Sequence, residues 1–331
     1  MPKNNKNFDP GVSYAADITL ADEDFARIGP DRENREGISR PSISFWKDGM
    51  RRLLKNPTAV VCMVLLAIII GMSLIAPMVS PYTISEQHLD HMNQDGYFVA
   101  DPGTPQAHTH LFGTDGLGRD IFTRVWHGGR TSLVIGFTAA FINLIVGVLY
   151  GSISGYIGGR VDNIMMRIVE IINGIPYLLV VILLGIVLRP GVGTIILAYS
   201  AVGWIGMARL ARGQVISLKE QEFVVAVKAL GANSSRIIVR HLVPNILSII
   251  IINLTLTIPN AIFTEAFLSF IGLGVPIPDA SWGTLAQDGA LTMVAYPMRL
   301  FWPALFISIT MLCFNLLGDA LRDAFDPRLR R

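Results

Sequence analysis

The sequence has few of the charged residues that soluble proteins carry on their surfaces. Only 16% of its 331 residues are Asp, Glu, Lys or Arg, and 51% are hydrophobic. Soluble domains usually carry roughly 25% charged residues. This scarcity of charge excludes an ordinary soluble domain and indicates a membrane protein.

Cysteine is almost absent. The two cysteines, Cys62 and Cys313, lie far apart in apolar stretches, which excludes both a disulfide framework and a zinc knuckle. Four histidines occur in one polar segment without any cysteine, and this pattern is too weak to indicate a metal site. They are His88, His91, His108 and His110. No metal-binding residue is predicted.

Motifs for catalysis and nucleotide binding are also missing. The chain contains no GxxxxGK[ST], so it has no loop that could cradle the phosphates of ATP. It contains no HExxH, no GxSxG and no His–Glu or Ser–His pairing within its apolar segments. No catalytic residue is therefore predicted, and an intramembrane enzyme is only a remote alternative. The polar N-terminus has no apolar core typical of a signal peptide.

Six apolar segments are long enough to cross a hydrocarbon core, which needs ~20 residues. They predict an all-α polytopic membrane protein with both termini on the same side. Asn173, Gly174 and Pro176 predict a kink or a locally unwound turn in the third segment. The predicted spans are 58–79, 133–157, 164–188, 194–210, 246–271 and 300–321.

The distribution of basic residues predicts the orientation. All but five of the 27 Lys and Arg residues lie on the side of the N-terminus, which the positive-inside rule makes cytoplasmic. The five others are Arg119, Arg124, Arg130, Arg189 and Arg299. Residues 80–131 and 272–299 are therefore predicted to lie outside, with the N- and C-termini cytoplasmic.

These patterns divide the chain into five parts. The polar extension is predicted to be disordered and cytoplasmic, because it has few large apolar residues. A core with five of the spans follows the outer loop, and the chain ends in a short basic tail. The parts are the extension at 1–45, an interfacial lead-in with the first span at 46–79, the extracytoplasmic loop at 80–131, the core at 132–322 and the tail at 323–331.

A short polar stretch at 219–245 interrupts the apolar core. Phe223, Ala226, Val227 and Leu230 follow the i, i+3, i+4, i+7 spacing of one helix face. The helix would end at Gly231 in the left-handed conformation, and Asn233 or Ser234 would cap a second helix that runs towards Pro244. The pattern predicts a helix, a sharp break and a helix at a membrane surface. A solvated connecting loop is the alternative.

Small residues recur along the second span. Gly147, Gly151 and Gly155 are spaced by four residues, which lets two helix backbones approach closely in a membrane. We predict a helix-packing surface, with a sliding surface between moving parts as the alternative.

Polar residues recur along the fifth span. Asn253, Thr257, Asn260 and Thr264 share a face if the helix continues through Pro259. Polar groups in a membrane helix face water or bond to neighbours. The stripe and the nearby Glu265 are predicted to line a substrate path, with packing between helices as the alternative. Glu170 is a second ionisable candidate, unless it pairs with Arg167.

Three segments carry a family resemblance. HLFGTDGLGRDIFTRVWHGGRTSL at 110–133 and EAFLSFIGLGVPIPDASWGTL at 265–285 resemble signatures of the C-type permeases of peptide and nickel ABC importers. The stretch at 219–245 resembles the EAA loop, the cytoplasmic coupling helix of ABC importer permeases, although Val225-Ala226-Val227 replaces Glu-Ala-Ala. The resemblance covers roughly residues 46–327 and is closest to the C-type oligopeptide permeases.

The resemblance implies six transmembrane helices in the type I ABC importer permease fold. It implies a permease for oligopeptides or dipeptides in the bacterial cytoplasmic membrane, with nickel or another small solute as the alternative. Apart from the resemblance, a scaffold protein without a path of its own is a further alternative. The implied partners are a homologous second permease, two cytoplasmic ATPases that hold ATP and Mg, and an extracytoplasmic binding protein. The chain itself would bind no cofactor. The residues implied to couple to the ATPases, within a helix at 219–233 and after it, are Glu222, Phe223, Ala226, Val227, Ala229, Leu230, Gly231 and Pro244.

Overall fold

The computed structural model describes residues 45–103 and 108–325. The predicted N-terminal extension, except for its last residue, lies outside the described residues. The basic tail lies outside them as well, except for its first three residues.

Long α-helices make up most of the described chain. A two-stranded antiparallel hairpin lies between the second and third helices, with Phe98 paired to His110. In chain order the elements are α1 Phe45–Lys55, α2 Pro57–Val79, β1 Phe98–Ala100, β2 His108–His110, α3 Ile121–Ile157, α4 Gly159–Asn173, α5 Tyr177–Leu188, α6 Val192–Leu218, α7 Glu222–Ala229, α8 Ser234–Ile237, α9 Val243–Phe270, α10 Trp282–Leu291 and α11 Met298–Phe325.

Five of these helical segments are long and apolar enough to cross a membrane. They are α2, α3, α6, the continuous segment Ser234–Phe270 that joins α8 to α9, and α11. Helices α4 and α5 meet at an angle of 77° and make a sixth span if they are counted together. The break falls at 174–176, where the sequence predicts a kink. The prediction of an all-α polytopic membrane protein is confirmed.

The second span starts earlier than its hydropathy indicates. Helix α3 begins at Ile121, so residues 121–131, which the sequence assigns to the outer loop, are helical. The Asp120 carboxylate caps this helix by accepting hydrogen bonds from the Thr123 backbone N–H at 2.8 Å and the Thr123 hydroxyl at 2.7 Å. Polar residues dominate these first turns, and they hide the helix from a hydropathy criterion.

The predicted interfacial lead-in is the helix α1. Its Leu53 is buried, and Gly49 lies so close to the Phe325 ring of α11 that a Cβ atom would come within 2.4 Å of it. Asn56 then caps α2 by accepting a hydrogen bond from the Thr58 backbone N–H at 3.0 Å. Helix α1 is therefore held against the end of α11.

The hairpin and the turn before α3 form one end of the described chain, which we call the hairpin end. The buried His110 ring donates a hydrogen bond from Nδ1 to the Asp120 carboxylate at 2.8 Å and stacks on Tyr82, with 4.4 Å between ring centroids. Burial, together with the negative charge of Asp120, raises the pKa of Tyr82 to about 12. Gly118 has a φ of +71°, and a Cβ there would lie 1.9 Å from the His88 carbonyl oxygen. Residues of the first family signature, 110–133, therefore form this turn.

Candidate functional site

Helix α7 and the ends of the helices around it form the opposite region of the core, which we call the α7 end. Helix α7 terminates just before Gly231, whose φ of +82° lies in the left-handed region that favours glycine. The Asn233 side chain then caps α8 by accepting a hydrogen bond from the Arg236 backbone N–H at 2.9 Å. The structure has the helix, break and helix that the sequence predicts.

The two sides of α7 have different surroundings. Val224 is buried, and Phe223 and Val227 pack half-buried against the apolar cluster that includes Leu242 and Ile246. The exposed side carries residues at i, i+3, i+4 and i+7, followed by one further apolar side chain. These residues are Glu222, Val225, Ala226, Ala229 and Leu230, of which Leu230 is 87% exposed.

This arrangement corrects the predicted docking face. The sequence places Phe223, Ala226, Val227 and Leu230 on one face, but Phe223 and Val227 contact the chain's own core. A short helix must bury one side against its own protein to be held in place. Val225, which the prediction omits, is 56% exposed, and its place in the Glu222, Ala226, Ala229 spacing could have indicated it.

Basic residues lie beside the exposed side of α7. A cleft of about 370 Å³ is lined by Leu230, Gly231 and three basic side chains of the next helical turns. These side chains are Arg236, Arg240 and His241. Pro244 follows them, exposed, in the first turn of α9. The surface around α7 therefore combines small apolar residues with positive charge.

An ion pair connects the helices next to α7. The Arg212 guanidinium of α6 donates two hydrogen bonds to the Asp162 carboxylate of α4, both at 2.6 Å. The Ser154 hydroxyl of α3 donates to the same carboxylate, and the Lys219 ammonium donates to the Gly155 carbonyl oxygen at 3.0 Å. The end of α6 that leads into α7 is therefore tied to two other helices of the core, α3 and α4.

Helices α3 and α6 approach each other closely at the three predicted packing glycines. A Cβ on Gly147 would lie 2.7 Å from the Trp204 carbonyl oxygen, and one on Gly151 would lie 2.1 Å from the Ala208 carbonyl oxygen. A Cβ on Gly155 would lie 2.8 Å from the carbonyl oxygen of Arg212. The nearest atoms are mostly backbone atoms, so only glycine fits this contact.

The polar stripe lies on one continuous helix, because α9 continues through Pro259. The hydroxyls of Thr257 and Thr264 donate to the carbonyl oxygens of Asn253 and Asn260 at 2.8 Å and 2.7 Å. Within the described residues, the side-chain amides of these two asparagines form no hydrogen bond. Asn260 is exposed and Asn253 half-exposed, so both amides are available to water or to another molecule.

A cavity of about 730 Å³ extends the polar surface of α9 towards the α7 end. Its lining includes Asn253 and polar side chains that the sequence does not single out. These are Gln214, Asn245, Ser248 and Arg322. The stripe therefore continues for two more turns of α9, where the sequence signal is interrupted by isoleucines.

Glu265 has a different environment from the stripe and corrects its prediction as a path residue. It is 1% exposed and accepts hydrogen bonds from the hydroxyls of Ser132 and Ser269, both at 2.7 Å. The Ser132 hydroxyl in turn accepts a hydrogen bond from the Trp282 backbone N–H at 3.2 Å. The carboxyl group joins α3, α9 and α10 rather than facing an open surface. Glu170 pairs with Arg167 at 2.9 Å on an exposed surface.

We expect Glu265→Leu to lower the free energy of unfolding by about 1–3 kcal/mol, because it leaves buried hydroxyls without an acceptor. Glu265→Gln retains an acceptor and should cost less. Thermal unfolding of the purified chain in detergent measures both. An equal loss of stability in the two variants would contradict the role assigned to these hydrogen bonds.

The fold and site define a polytopic membrane protein in which a short exposed helix connects two spans at one end of a polar-faced bundle. The chain belongs to the family of binding-protein-dependent transport system inner membrane components, whose profile matches residues 147–331. The N-terminal transmembrane domain of oligopeptide transport permease C matches residues 44–95. These matches confirm the resemblance that the sequence motifs carry.

Relatives extend over almost the whole chain. The oligopeptide transport system permease protein OppC of Bacillus subtilis is 52% identical over 296 residues, which are 89% of this chain and 94% of the relative. The dipeptide transport system permease protein DppC of the same organism is 50% identical and covers 90% of this chain and 91% of the relative. OppC of Escherichia coli K12 is 42% identical over 87% of this chain and 92% of the relative. These relatives are permease proteins rather than enzymes.

A solved structure has a similar fold. A chain of the inward-facing MetNI methionine ABC transporter aligns with a TM-score of 0.50 at 15% identity. The alignment covers 60% of this chain and 94% of that chain. At this identity the similarity concerns the fold alone: this chain shares the fold of a chain of that ABC transporter.

Proposed function

We propose that this chain is the permease subunit of an ATP-driven importer of oligopeptides or dipeptides in the bacterial cytoplasmic membrane. The observation that carries the proposal is its 50–52% identity to peptide permease proteins over about nine tenths of its length. The exposed side of α7 and the polar side of α9 supply the two surfaces that such a permease needs. One surface receives energy from another protein, and the other faces the solute.

The α7 end faces the cytoplasm in this proposal, in agreement with the excess of basic residues there. The exposed residues Glu222, Val225, Ala226 and Ala229 dock on a partner ATPase that holds ATP and Mg. Small side chains allow the partner's backbone to approach closely. Arg236 and Arg240 favour an acidic partner surface beside the docked helix.

Movement of the ATPases reaches the spans through the connections around α7. The buried contacts of Phe223, Val224 and Val227 hold the helix on the core. The Asp162–Arg212 pair and the Lys219 hydrogen bond carry its displacement to α3, α4 and α6. A partner can shift the balance between inward-open and outward-open states only if it binds the two states with different affinity. A rigidly attached helix makes that difference effective.

The polar side of α9 forms half of the path in this proposal, and a homologous second permease supplies the other half. Hydrogen-bonding groups without partners are costly inside a bilayer. The amides of Asn253 and Asn260 would therefore be satisfied by water in the path or by the backbone of a passing peptide. An extracytoplasmic binding protein delivers the peptide to the hairpin end.

Reconstitution tests the proposed function. The chain is co-expressed with the proposed second permease and the two ATPase subunits, purified as a complex and placed in proteoliposomes with the binding protein. We expect ATP-dependent uptake of labelled peptide, and unlabelled peptide but not nickel should compete. Uptake of nickel without uptake of peptide would contradict the peptide assignment and leave the importer class intact.

We expect Asn253→Leu combined with Thr257→Leu to reduce peptide uptake at least severalfold or to change which peptides are carried. The double substitution removes the polar groups of the path without disturbing buried contacts. Phe263→Leu is the matched control, because Phe263 is 55% exposed on the same helix outside the stripe. Unchanged uptake of every peptide tested would assign this face to contacts between helices.

A further inference from the structure

A charged cavity of about 290 Å³ lies at the hairpin end. The turn at 115–119, the first turns of α3, α10 and the start of α11 enclose it. Three arginines and two aspartates line it, so its charged lining has an excess of one positive charge. They are Arg119, Arg124, Arg299, Asp115 and Asp288. Its volume is just below the range of about 300–1,000 Å³ for sites of drug-sized ligands and suits one amino-acid residue.

The carboxylate of Asp115 accepts hydrogen bonds from groups of its own turn. It accepts hydrogen bonds from the backbone N–H groups of Leu117 and Arg119, both at 2.9 Å. It also accepts one from the Arg119 Nε at 2.6 Å. Asp115 therefore neutralises Arg119 and shapes the turn, and its hydrogen-bonding capacity is largely occupied.

Arg124 is one of two cavity arginines that this arrangement leaves without a hydrogen-bonded carboxylate. It is 3% exposed, and one of its terminal nitrogens donates to the Ile84 carbonyl oxygen at 3.1 Å. Its buried Nε has no hydrogen-bond partner within the described residues and lies 3.7 Å from the nearest Asp115 oxygen. A buried charge without full compensation is costly. A ligand carboxylate in the cavity would add the negative charge that the long 3.7 Å contact with Asp115 supplies only in part.

Arg299 faces the same cavity from the other side. Its guanidinium donates to the Asn93 side-chain oxygen and to the Thr114 carbonyl oxygen, and it stacks 4.3 Å from the centre of the Tyr296 ring. Among the residues that the structure describes, it contacts no carboxylate at ion-pair distance. These neutral contacts fix the orientation of the guanidinium without neutralising its charge, as in a preformed anion site.

The rim of the cavity is apolar and open. Ile277 is 76% exposed, Leu291 is 82% exposed and Leu117 is 41% exposed. Asp288 lines the cavity and is exposed, and in the described chain its carboxylate has no hydrogen-bond or ion-pair partner. A phosphate with two negative charges would be repelled by Asp288 more strongly than a carboxylate with one. The cavity therefore favours a single carboxylate attached to an apolar group.

We propose that this cavity binds the C-terminal residue of a peptide, with its carboxylate on Arg124 and Arg299 and its apolar side chain against Ile277, Leu291 and Leu117. The choice of a peptide as the source of this residue rests on the proposed function. The site lies apart from the polar stripe of α9, so it is a second contact for the solute at the end where the binding protein would deliver it.

Asp288 makes this site sensitive to pH. Burial raises the pKa of Asp288, while the nearby Arg124 and Arg119 act in the opposite direction and Asp115 adds to the increase. Protonation of Asp288 removes a negative charge from the wall that faces the bound carboxylate. Arg299 keeps its positive charge over the same pH range. Carboxylate affinity should therefore rise as pH falls through the pKa of Asp288. Asp288→Asn should remove this dependence.

Binding is measured with two probes of equal shape, N-acetyl-leucine and N-acetyl-leucinamide, titrated calorimetrically into the assembled importer without ATP. We expect the acid to bind at least roughly tenfold more tightly than the amide, as for hydrogen bonds to charged groups. Asp288→Asn should tighten binding of the acid severalfold, and Arg124→Gln should weaken it roughly tenfold. Arg130→Gln, an exposed arginine of the same helix outside the cavity, should leave it unchanged.

The opposite signs separate the site from a folding defect, since only the Asp288 variant should gain affinity. Equal binding of acid and amide, or weaker binding in Asp288→Asn, would overturn the proposal. The assay contains no transport step. If the importer binds the acid preferentially but carries no peptide, the proposed function is contradicted and the site is not. If it takes up peptide but binds both probes equally, the site is contradicted and the proposed function is not.

Discussion

Ala226→Asp is expected to reduce ATP-driven uptake at least roughly tenfold while the chain still inserts in the membrane and assembles with its permease partner. Ala226 lies in the middle of α7, between Glu222 and Ala229 on its exposed side. A carboxylate there would lose its water on docking and add negative charge to a contact that favours an acidic partner. It would not disturb the buried side, where Val224 packs.

Uptake and ATP hydrolysis are both measured in proteoliposomes. The expected signature is hydrolysis that no longer responds to peptide and binding protein. Ala295→Asp is the matched control, because it introduces the same carboxylate at an exposed alanine of the hairpin end. Normal uptake by Ala226→Asp would show that this side of α7 does not contact the ATPase. Equal loss in Ala295→Asp would indicate a general effect of added charge.

Gly151→Ala is expected to lower the free energy of unfolding by about 1–3 kcal/mol, the usual cost of inserting an extra carbon atom into a packed interior. The new Cβ would lie 2.1 Å from the Ala208 carbonyl oxygen and 2.9 Å from the Arg212 backbone nitrogen. Both are backbone atoms, so no rotamer change relieves the contact. Helices α3 and α6 must therefore move apart. This movement should weaken the Asp162–Arg212 ion pair, because Arg212 lies on α6.

Thermal unfolding of the purified chain measures this loss. Gly213→Ala on α6 is the control, because a Cβ at Gly213 meets nothing within 4 Å. That substitution should be neutral or stabilise the helix by up to about 1 kcal/mol through helix propensity. Equal stability of the two variants would show that the contact between α3 and α6 yields easily at Gly151.

The local features of the chain could be predicted from the sequence because each depends on residues close to it along the chain. The break at Gly231 follows from a conformation that favours glycine, and the cap at Asn233 follows from its position before a helix. The bend at 174–176 follows from glycine and proline in one turn. By contrast, the start of α3 at Ile121 depends on Asp120, whose capping role is hidden among polar residues.

The environments of Glu265, Val225 and Arg124 could not be read in the same way. Glu265 belongs to a polar-looking segment, but serines, one of them from another helix, turn it into a buried junction. Helical spacing identifies a face of α7 without saying which side the core covers. Phe223, which is predicted to dock, packs on the chain's own core, and Val225, which the prediction omits, is exposed. The sequence shows Arg124 only as part of a family signature. Its place in the cavity depends on α10 and α11, which are distant in sequence.

The sequence by itself determined the class of this protein, because scarcity of charge, six apolar segments and the asymmetry of basic residues are sums over the chain. It also determined the family, because the signature motifs are contiguous. Only the tertiary structure decided which polar groups are open and which are buried. That choice depends on contacts between residues more than a hundred positions apart, such as Ser132 with Glu265 and Arg299 with Asn93. No local pattern encodes those distances.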